Sequence, residues 1–226
     1  MNGFFVTGIG TGIGKTLVSA VLVEALKADY WKPIQSGDLD FTDSDFIKEY
    51  TMHHQTIHPE EYVFSEPVSP HLAAKLDNKS IDLQYIKAPN KNNYLIVEGA
   101  GGLFVPLSDK YLIKDLIKLI QLPVIVVSMN YLGSINHTLL TIDALKQNNI
   151  PVAGIIFNGD ANIESENYIL NYTGITLLGK IPKADILSKG FIAQQADKLR
   201  PKLLSILPQL PNPPSSNDLP IDYESF

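Results

Sequence analysis

Gly8-Ile-Gly-Thr-Gly-Ile-Gly14-Lys15-Thr16 begins one residue after the apolar run Phe4-Phe5-Val6, and this stretch decides the fold. An apolar strand, a glycine-rich turn and a Lys-Thr pair that opens a helix form a cradle for a polyphosphate. The glycines let backbone N–H groups approach phosphate oxygens, because no Cβ stands in the way. In such a loop Lys15 reaches the β- and γ-phosphates, and the Thr16 hydroxyl lies on a magnesium ion. The segment therefore predicts a nucleotide site with a divalent metal.

The glycine spacing of this loop differs by one residue from the standard pattern. Four residues separate the outer glycines of a standard phosphate loop, and counting back from Gly14 places Ile9 at the first of these positions. Gly8 lies one residue further out, so the loop is one residue longer. A turn without a ligand is one alternative. A dinucleotide-binding fingerprint is another, but it requires glycine or alanine where Ile13 stands.

Composition narrows the classes of protein that this chain can belong to. Its 226 residues carry a formal net charge of −6, which disfavours an electrostatic nucleic-acid binder. The chain has no cysteine, which excludes disulfides and cysteine zinc sites and suits a cytoplasmic protein. We expect neither a membrane span nor a signal peptide, because no apolar run is long enough and the first residues lead straight into the first strand. Arg200 is the sole arginine, so lysine, metal and backbone amides must meet the charge of any transferring phosphoryl group.

Apolar strand-like runs alternate with helical patterns, which predicts a three-layer α/β fold with a mostly parallel sheet and helices on both faces. We predict a single P-loop NTPase-like domain over residues 1–226, with a polar insertion around 51–93 and an irregular Pro- and Ser-rich tail from about residue 208. Weak helices are expected at 70–75 and 82–88, and His53, His54 and His58 are expected on the surface. The predicted strands are 4–6, 30–31, 94–97, 124–127, 152–157 and 176–178, and the predicted helices are 16–28, 43–50, 112–120, 135–147 and 164–172.

Functional groups in such sheets gather where strands end, and Lys32 and Ser36 follow the second predicted strand. Pro33 prevents a continued ladder, so the chain must turn there and expose both side chains near the phosphate loop. A surface lysine before an ordinary turn is the alternative. Glu98 ends a buried strand and precedes the glycine-rich segment 99–102. A metal-binding acid beside a phosphate loop would lie at that position, and the flanking glycines favour this over a surface glutamate.

Two further segments leave their alternatives open. Asp43-Ser44-Asp45 begins a helix, where Asp43 or Ser44 can serve as the cap and Asp45 can serve magnesium. Asn158-Gly159 closes another strand, and it either pairs with a purine edge or forms a turn. The chain contains no Asn-Lys-x-Asp segment, which disfavours a GTP switch.

Together these motifs resemble the dethiobiotin synthetase family, the ATP-dependent carboxylases that close the ureido ring in biotin synthesis. The resemblance covers about residues 1–185 and fades beyond them. It rests on Gly14-Lys15-Thr16, Lys32-Pro33 with Ser36-Gly37, Ser44-Asp45, Glu66-Pro67 with Ser69-Pro70-His71, Val97-Glu98-Gly99-Ala100-Gly101-Gly102, Pro106-Leu107-Ser108-Asp109, Leu122-Pro123-Val124, Gly133 with Ile135-Asn136-His137, and Asn158.

The resemblance implies a homodimeric ligase that acts on 7,8-diaminononanoate, CO₂ and ATP with Mg²⁺. A carbamate of one amine attacks the γ-phosphate, and the second amine then displaces phosphate from the mixed anhydride. Lys32 and Lys15 would be the catalytic residues, and Thr16, Asp45 and Glu98 would hold magnesium. The residues implied for the nucleotide are Gly12, Ile13, Gly14, Lys15, Thr16, Leu17, Asp45, Glu98, Gly99, Ala100, Gly101, Asn158, Gly159, Pro182, Lys183 and Ala184. Those implied for the substrate are Thr11 and Ser36, with Gly133, Ser134, Ile135 and Asn136 from the neighbouring subunit.

Three other functions stay open on the sequence alone. A regulatory domain of this fold would bind nucleotide without closing a ring, but such a domain is expected to lose one of Lys32, Ser36, Asp45 or Glu98, and all four are present. A related P-loop amidoligase or a partitioning ATPase is the second, but partitioning ATPases usually carry a further lysine early in the phosphate loop, whereas this loop has only Lys15. A nucleotide-binding α/β domain of unknown role is the third.

Overall fold

The computed structural model describes residues 2–89 and 93–207. Seven parallel strands form the main sheet in the order β4-β2-β6-β1-β7-β8-β9. The first strand therefore lies in the middle of the sheet, and the phosphate loop that follows it lies at the middle of the carboxyl edge. The strands are β1 Gly3–Gly8, β2 Asp29–Trp31, β3 Ile34–Ser36, β4 Ile57–His58, β5 Tyr62–Phe64, β6 Leu95–Gly102, β7 Val124–Met129, β8 Val152–Asn158 and β9 Leu177–Ile181.

Helices cover both faces of this sheet because its strands are apolar on both sides. In β1, Phe4 and Val6 pack into one buried cluster and Phe5 into the other. The first cluster is formed with α1, α2 and α7, and the second with α3 to α6. The predicted three-layer α/β fold is thereby confirmed. The helices are α1 Lys15–Leu26, α2 Asp43–Tyr50, α3 Pro70–Leu76, α4 Ile113–Ile120, α5 Ser134–Gln147, α6 Ile163–Thr173 and α7 Lys189–Ile206.

The helix α7 is absent from the sequence prediction. Pro201 lies inside it, and a proline removes a backbone donor and disfavours a helix interior. The helix nevertheless buries Ile192, Ala196, Leu199 and Leu203, which lie at helical spacing. Tertiary packing over α1 thus outweighs the proline.

The insertion contains more strand than its polar composition suggests. After Pro33 the chain leaves the main sheet, and β3 pairs with β5 in a separate two-stranded parallel sheet. The helix expected at 70–75 is confirmed as α3, whereas 82–88 forms only a short 3₁₀ turn at Leu83–Tyr85. The expectation of surface histidines is wrong for His58, which is buried in β4.

Two other expectations concern a membrane span and the C-terminal tail. Within residues 2–89 and 93–207, no helix is both long and apolar enough to cross a bilayer. The tail from about residue 208 lies outside the described residues.

Candidate active site

The phosphate loop curls tightly between β1 and α1 because two of its glycines adopt positive φ angles. Gly12 has a φ of 71°, and Gly14, which caps α1, has a φ of 87°. The Lys15 ammonium is buried and donates to the Gly10 carbonyl at 3.1 Å. From β8, Asn158 Nδ2 donates to the Ile13 carbonyl at 2.9 Å. The longer loop is therefore held near its C-terminal end by β8, which is separated from β1 by β7 in the sheet.

Lys32 enters the same region from the end of β2, where Pro33 breaks the ladder as predicted. Its side chain is buried and forms an ion pair with Asp43 Oδ2. The other oxygen of that carboxylate, Oδ1, lies 2.5 Å from Thr16 Oγ1. The first turn of α2 thus reaches both the phosphate loop and the end of β2.

Glu98 is buried within β6, which continues to Gly102 rather than ending at this carboxylate as expected, and its side chain is held from two sides. Tyr30 donates its hydroxyl to Oε2 at 3.0 Å, and Thr16 Oγ1 lies 2.9 Å from Oε1. The Thr16 hydroxyl has one proton, yet it faces the carboxylates of both Asp43 and Glu98. The hydroxyl can donate to only one of these two carboxylates. The contact between Thr16 Oγ1 and the other carboxylate therefore requires a further proton or a cation between the two oxygens. These oxygens are the ligand type that Mg²⁺ prefers.

No group of three or more His, Asp or Glu side chains in the described part of the chain could hold a metal by itself. Magnesium takes one or two carboxylates and completes its coordination with phosphates and water. The residues present therefore fit the ion that the phosphate loop implies.

Burial dominates the electrostatics of the two lysines. It lowers the pKa of Lys15 to about 8, with Lys32 lowering it further and Glu98 opposing the change. Burial also lowers the pKa of Lys32, while Glu98, Glu60 and Asp38 counteract it. Burial and the Glu98 charge raise the pKa of Tyr30 well above its usual value, so this phenol stays a hydrogen-bond donor. The two ammonium groups are near enough to influence each other, and an anion placed between them would relieve their repulsion.

These groups surround one cavity of about 630 Å³ at the carboxyl edge of the sheet. Two polar atoms in residues of its wall, Ser36 Oγ and Gln35 Oε1, are buried without a hydrogen-bond partner in the described structure. Pro67, Val68 and Val105 supply an apolar part of the wall. The predicted site residues that line this cavity are Thr11, Gly12, Gly14, Lys15, Thr16, Lys32, Ser36, Glu98, Ala100 and Gly101.

Asp45 does not lie in this cluster. Its carboxylate accepts from the Thr42 hydroxyl at 2.7 Å and the Thr42 amide at 3.0 Å, which forms a capping box at the start of α2. Thr42 is thus the cap, rather than Asp43 or Ser44 as expected. The structure places Asp43 where the sequence analysis placed Asp45.

The other predicted nucleotide residues lie around the loop or beyond it. Ile13 is buried below the loop, Leu17 packs against the core, and Gly99 has no room for a side chain because Phe5 lies against it. Gly159, Pro182 and Lys183 line a second cavity of about 230 Å³ at the ends of β8 and β9, next to Ala184 in sequence.

The segment from Gly133 to Asn136 is absent from the wall of the 630 Å³ cavity. Gly133 caps α5 with a φ of 103° and without a side-chain hydrogen bond, so the alternative that Ser134 or Asn136 caps this helix is wrong. Ser134 is buried, whereas Gly133 and Asn136 are exposed.

Sequence reasoning missed Asp43, Tyr30 and Gln35. Asp43 lies two residues before Asp45, and Tyr30 lies two residues before Lys32. The sequence analysis therefore found the right regions but not these side chains. Tyr30 was assigned to a strand interior, where nothing local indicates that its hydroxyl reaches Glu98. Gln35 lies between Lys32 and Ser36, and only its burial marks it out.

A strand, a glycine-rich loop and a helix that present a buried lysine, joined by a second lysine and two carboxylates, define a P-loop nucleotide-binding protein. Comparisons with known proteins agree with this class. The AAA domain family matches residues 2–190. The structure of the cell division ATPase MinD of Pyrococcus furiosus is 16% identical in sequence, with a TM-score of 0.55. The superposition covers 91% of this chain and 100% of the MinD chain. A MinC:MinD complex of Aquifex aeolicus is 13% identical with a TM-score of 0.56, and it covers 94% and 98%. At these identities the likeness shows the fold alone.

Much closer sequence relatives identify the family. The ATP-dependent dethiobiotin synthetase BioD of Cytophaga hutchinsonii is 49% identical over 202 residues, which cover 88% of this chain and 97% of that protein. The protein of the same name from Christiangramia forsetii is 44% identical over 204 residues, covering 90% and 98%. The chain belongs to the ATP-dependent dethiobiotin synthetase family, and the resemblance in its motifs is confirmed.

Proposed function

We propose that this chain is a ligase of biotin biosynthesis that carboxylates 7,8-diaminononanoate with CO₂ and closes the ring to dethiobiotin, converting ATP to ADP and phosphate. The observation that carries this proposal is the placement of Lys15 and Lys32, from two different strand ends, on the wall of one cavity. The regulatory domain without ring closure finds no support in this arrangement, since the predicted reacting groups are all retained.

The chemistry proceeds in three balanced steps. One amine attacks CO₂ and loses a proton, which leaves an anionic carbamate. A carbamate oxygen then attacks the γ-phosphorus, and the bond to ADP breaks. The second amine attacks the carbonyl of the mixed anhydride, loses its proton and expels phosphate as the ring closes. No step requires a protein nucleophile, in agreement with a chain that has no cysteine.

The two lysines supply the charge that the second step needs. A carbamate approaching a triphosphate brings two anions together, and buried cations stabilise the charge that develops between them. Lys15 and Lys32 are such cations, and no described arginine is near them because the only arginine is Arg200 on α7. Ser36 would orient the substrate, since its buried hydroxyl has no partner in the described structure.

Magnesium would be held by Thr16, Glu98 and one carboxylate of the α2 first turn. The ion would neutralise phosphate charge when bound with ATP. The family resemblance names Asp45 for the third position. Asp43 is the rival candidate because its carboxylate contacts Thr16, although the same carboxylate is paired with Lys32. Equilibrium Mg²⁺ titrations of ATP binding with Asp43→Asn and Asp45→Asn test this choice. A higher Mg²⁺ requirement in only one of the two variants identifies the ligand.

The nucleoside end of ATP would extend from the phosphate loop towards β8 and β9. Gly159, Pro182 and Lys183 line the smaller cavity there, and the neighbouring Ala184 belongs to the same turn. The Asn158 amide borders this path, although its Nδ2 is engaged with the phosphate loop. Its carbonyl oxygen is left for the base.

A twofold homodimer would complete the substrate site. Phe104 and Leu140 are 57% and 59% exposed and line an apolar groove that shares Thr11 and Val105 with the 630 Å³ cavity. Leu132, just before the start of α5, is fully exposed. A second copy on this face would bury these side chains and bring the N-terminus of its α5 towards the cavity. The backbone N–H groups and helix dipole at Gly133 to Asn136 would then bind the substrate carboxylate. We assign the enzyme to the cytoplasm, as the absence of cysteine suits that compartment.

Phosphate release with ATP and Mg²⁺ tests the activity, measured with and without the diamine and bicarbonate. We expect phosphate release to depend on both, and dethiobiotin to form in equal amount. Phosphate release that continues unchanged without the diamine would reject the ligase in favour of a switch or motor.

A second comparison tests the role of Lys32. Lys32→Gln should reduce kcat by at least about a hundredfold, because it removes a preorganised charge at the transition state. Lys75→Gln, which removes an exposed lysine from α3, is the matched control and should leave kcat unchanged. A folded Lys32→Gln enzyme with normal turnover would contradict the assignment.

A further inference from the structure

Lys32 has a buried ammonium group, and such a group requires a partner. Its side chain is only 9% exposed, and it lies at the end of a strand from which the chain then turns away. A charge removed from water is costly unless an opposite charge or several hydrogen bonds compensate it. The residue that supplies this compensation therefore decides where the Lys32 Nζ atom rests.

Asp43 is the residue in direct contact with Lys32. One of its carboxylate oxygens forms the ion pair with Lys32, and the other lies 2.5 Å from the Thr16 hydroxyl. The three residues belong to three separate elements, since Lys32 follows β2, Asp43 begins α2 and Thr16 lies in the first turn of α1. A single carboxylate thus connects the proposed catalytic lysine to the phosphate loop.

The start of α2 fixes the position of this carboxylate. The Thr42 side chain accepts from the Asp45 amide while the Asp45 carboxylate accepts from the Thr42 amide, so the helix begins at a defined residue. The N-terminus of a helix also favours a negative charge on its first residues. The capping box therefore fixes the backbone of Asp43 independently of Lys32, and the helix N-terminus favours a negative charge at this position.

We propose that Asp43 is a positioning residue that holds the Lys32 ammonium against the phosphate loop, ready to receive the γ-phosphoryl group. This rests on the proposed catalytic role of Lys32. In this arrangement Asp43 acts on the reaction through Lys32. A magnesium ligand, in contrast, would act through the metal ion and would not depend on Lys32. Without Asp43, Lys32 would still be present but would spend less time in the productive position.

A double-mutant cycle on the full-length enzyme tests this proposal. The variants are Asp43→Asn, Lys32→Gln and the pair, and the control is Glu49→Gln, which removes an exposed carboxylate from the same helix. In the wild-type background, Asp43→Asn should lower kcat about tenfold or more, the effect of losing one charge-assisted hydrogen bond. The KM for ATP and the Mg²⁺ requirement should change by less than about threefold. Asp43→Glu, which keeps a carboxylate, should recover part of the lost kcat.

The second leg of the cycle separates the alternatives. If Asp43 acts through Lys32, Asp43→Asn should have no further effect on the residual kcat of Lys32→Gln. An equal loss in both backgrounds, or a raised Mg²⁺ requirement, would overturn the proposal in favour of an independent metal ligand. A kcat like that of Glu49→Gln would overturn it outright. Normal turnover in Lys32→Gln alone would instead refute the role of Lys32.

A structural measurement keeps the test valid if Asp43→Asn unfolds. Asp43→Ser, which keeps a small polar side chain at this helix start, can take its place, with folding checked by circular dichroism. Ligand-free crystal structures of the wild type and this variant should differ in the position of Lys32 Nζ. An unchanged Nζ position would show that other groups hold Lys32, which contradicts the proposal.

Discussion

Replacing Gly14 by alanine should destabilise the protein much more than replacing Gly10, although both glycines belong to the phosphate loop. Gly14 has a φ of 87°, and a Cβ at this position would lie 2.1 Å from Asn158 Nδ2. A Cβ on Gly10 would meet nothing within 4 Å. The two substitutions add the same methyl group, but they differ in the backbone conformation at the site and in the atoms that the methyl group meets.

The structure gives the size of the effect as two terms. A side chain in the left-handed region costs about 1–2 kcal/mol. The Asn158 amide must also move away, which breaks its 2.9 Å hydrogen bond to the Ile13 carbonyl and costs about 1–2 kcal/mol more for a buried polar group. The sum of about 3 kcal/mol corresponds to a fall in Tm of roughly 6–12 °C for a domain of this size.

Scanning calorimetry of Gly14→Ala, Gly10→Ala, Asn158→Ala and the double variant Gly14→Ala/Asn158→Ala measures these terms. We expect the double variant to be less destabilised than the sum of Gly14→Ala and Asn158→Ala, because the alanine at 158 removes the clash. A Gly14→Ala protein that melts within about 2 °C of Gly10→Ala would refute the reasoning. So would strict additivity of the two changes, since coupling is expected only between residues in contact.

Three other predictions concern charge and assembly. Because burial lowers the pKa of Lys15 to about 8, ATP affinity measured by calorimetry should fall as pH rises through about 8, and a constant affinity up to pH 9.5 would count against a buried Lys15 cation. Leu140→Glu should convert the proposed dimer to an inactive monomer, as measured by analytical ultracentrifugation and an activity assay. Tyr172→Glu, at another exposed position on α6, is the control and should stay dimeric and active. If both variants are active dimers, the proposed interface is excluded. Burial raises the pKa of Glu24, but hydrogen bonds from Lys27 and other donors outweigh it and hold the value at about 2. The stability that Glu24 contributes is therefore present above about pH 4.5 and lost as pH falls towards 2, and Glu24→Gln should flatten this part of the stability curve.

The central part of the site could be predicted from sequence because its signals are local. The phosphate loop is one continuous segment, and Pro33 marks the break after Lys32 within the same few residues. The carboxyl ends of parallel strands meet at one edge, so Glu98 could also be placed near the loop without coordinates.

The choice between Asp43 and Asp45 could not be made this way. Side chains two residues apart at the start of a helix point in different directions. Which of the two aspartates faces the site therefore depends on which residue is the cap. The sequence favoured Asp43 or Ser44, but Thr42 is the cap, and its partner in the capping box is Asp45. The predicted helix 43–50 is confirmed, but an error of one or two residues in its cap exchanges the acid at the site for the acid of the capping box.

The position of the site within the sheet has a consequence for how the enzyme fails. The phosphate loop follows β1, Lys32 follows β2 and Glu98 lies within β6. These three strands are hydrogen-bonded neighbours inside the sheet. Interior strands exchange their amide hydrogens last, because they open only when the whole domain opens. The candidate catalytic groups are carried by these strands, so they should not unfold separately from the rest of the domain. Turnover should consequently persist in rising denaturant until global unfolding begins. The denaturant concentration at which activity is lost should then match the concentration at which the amide hydrogens of β1 lose their protection from exchange.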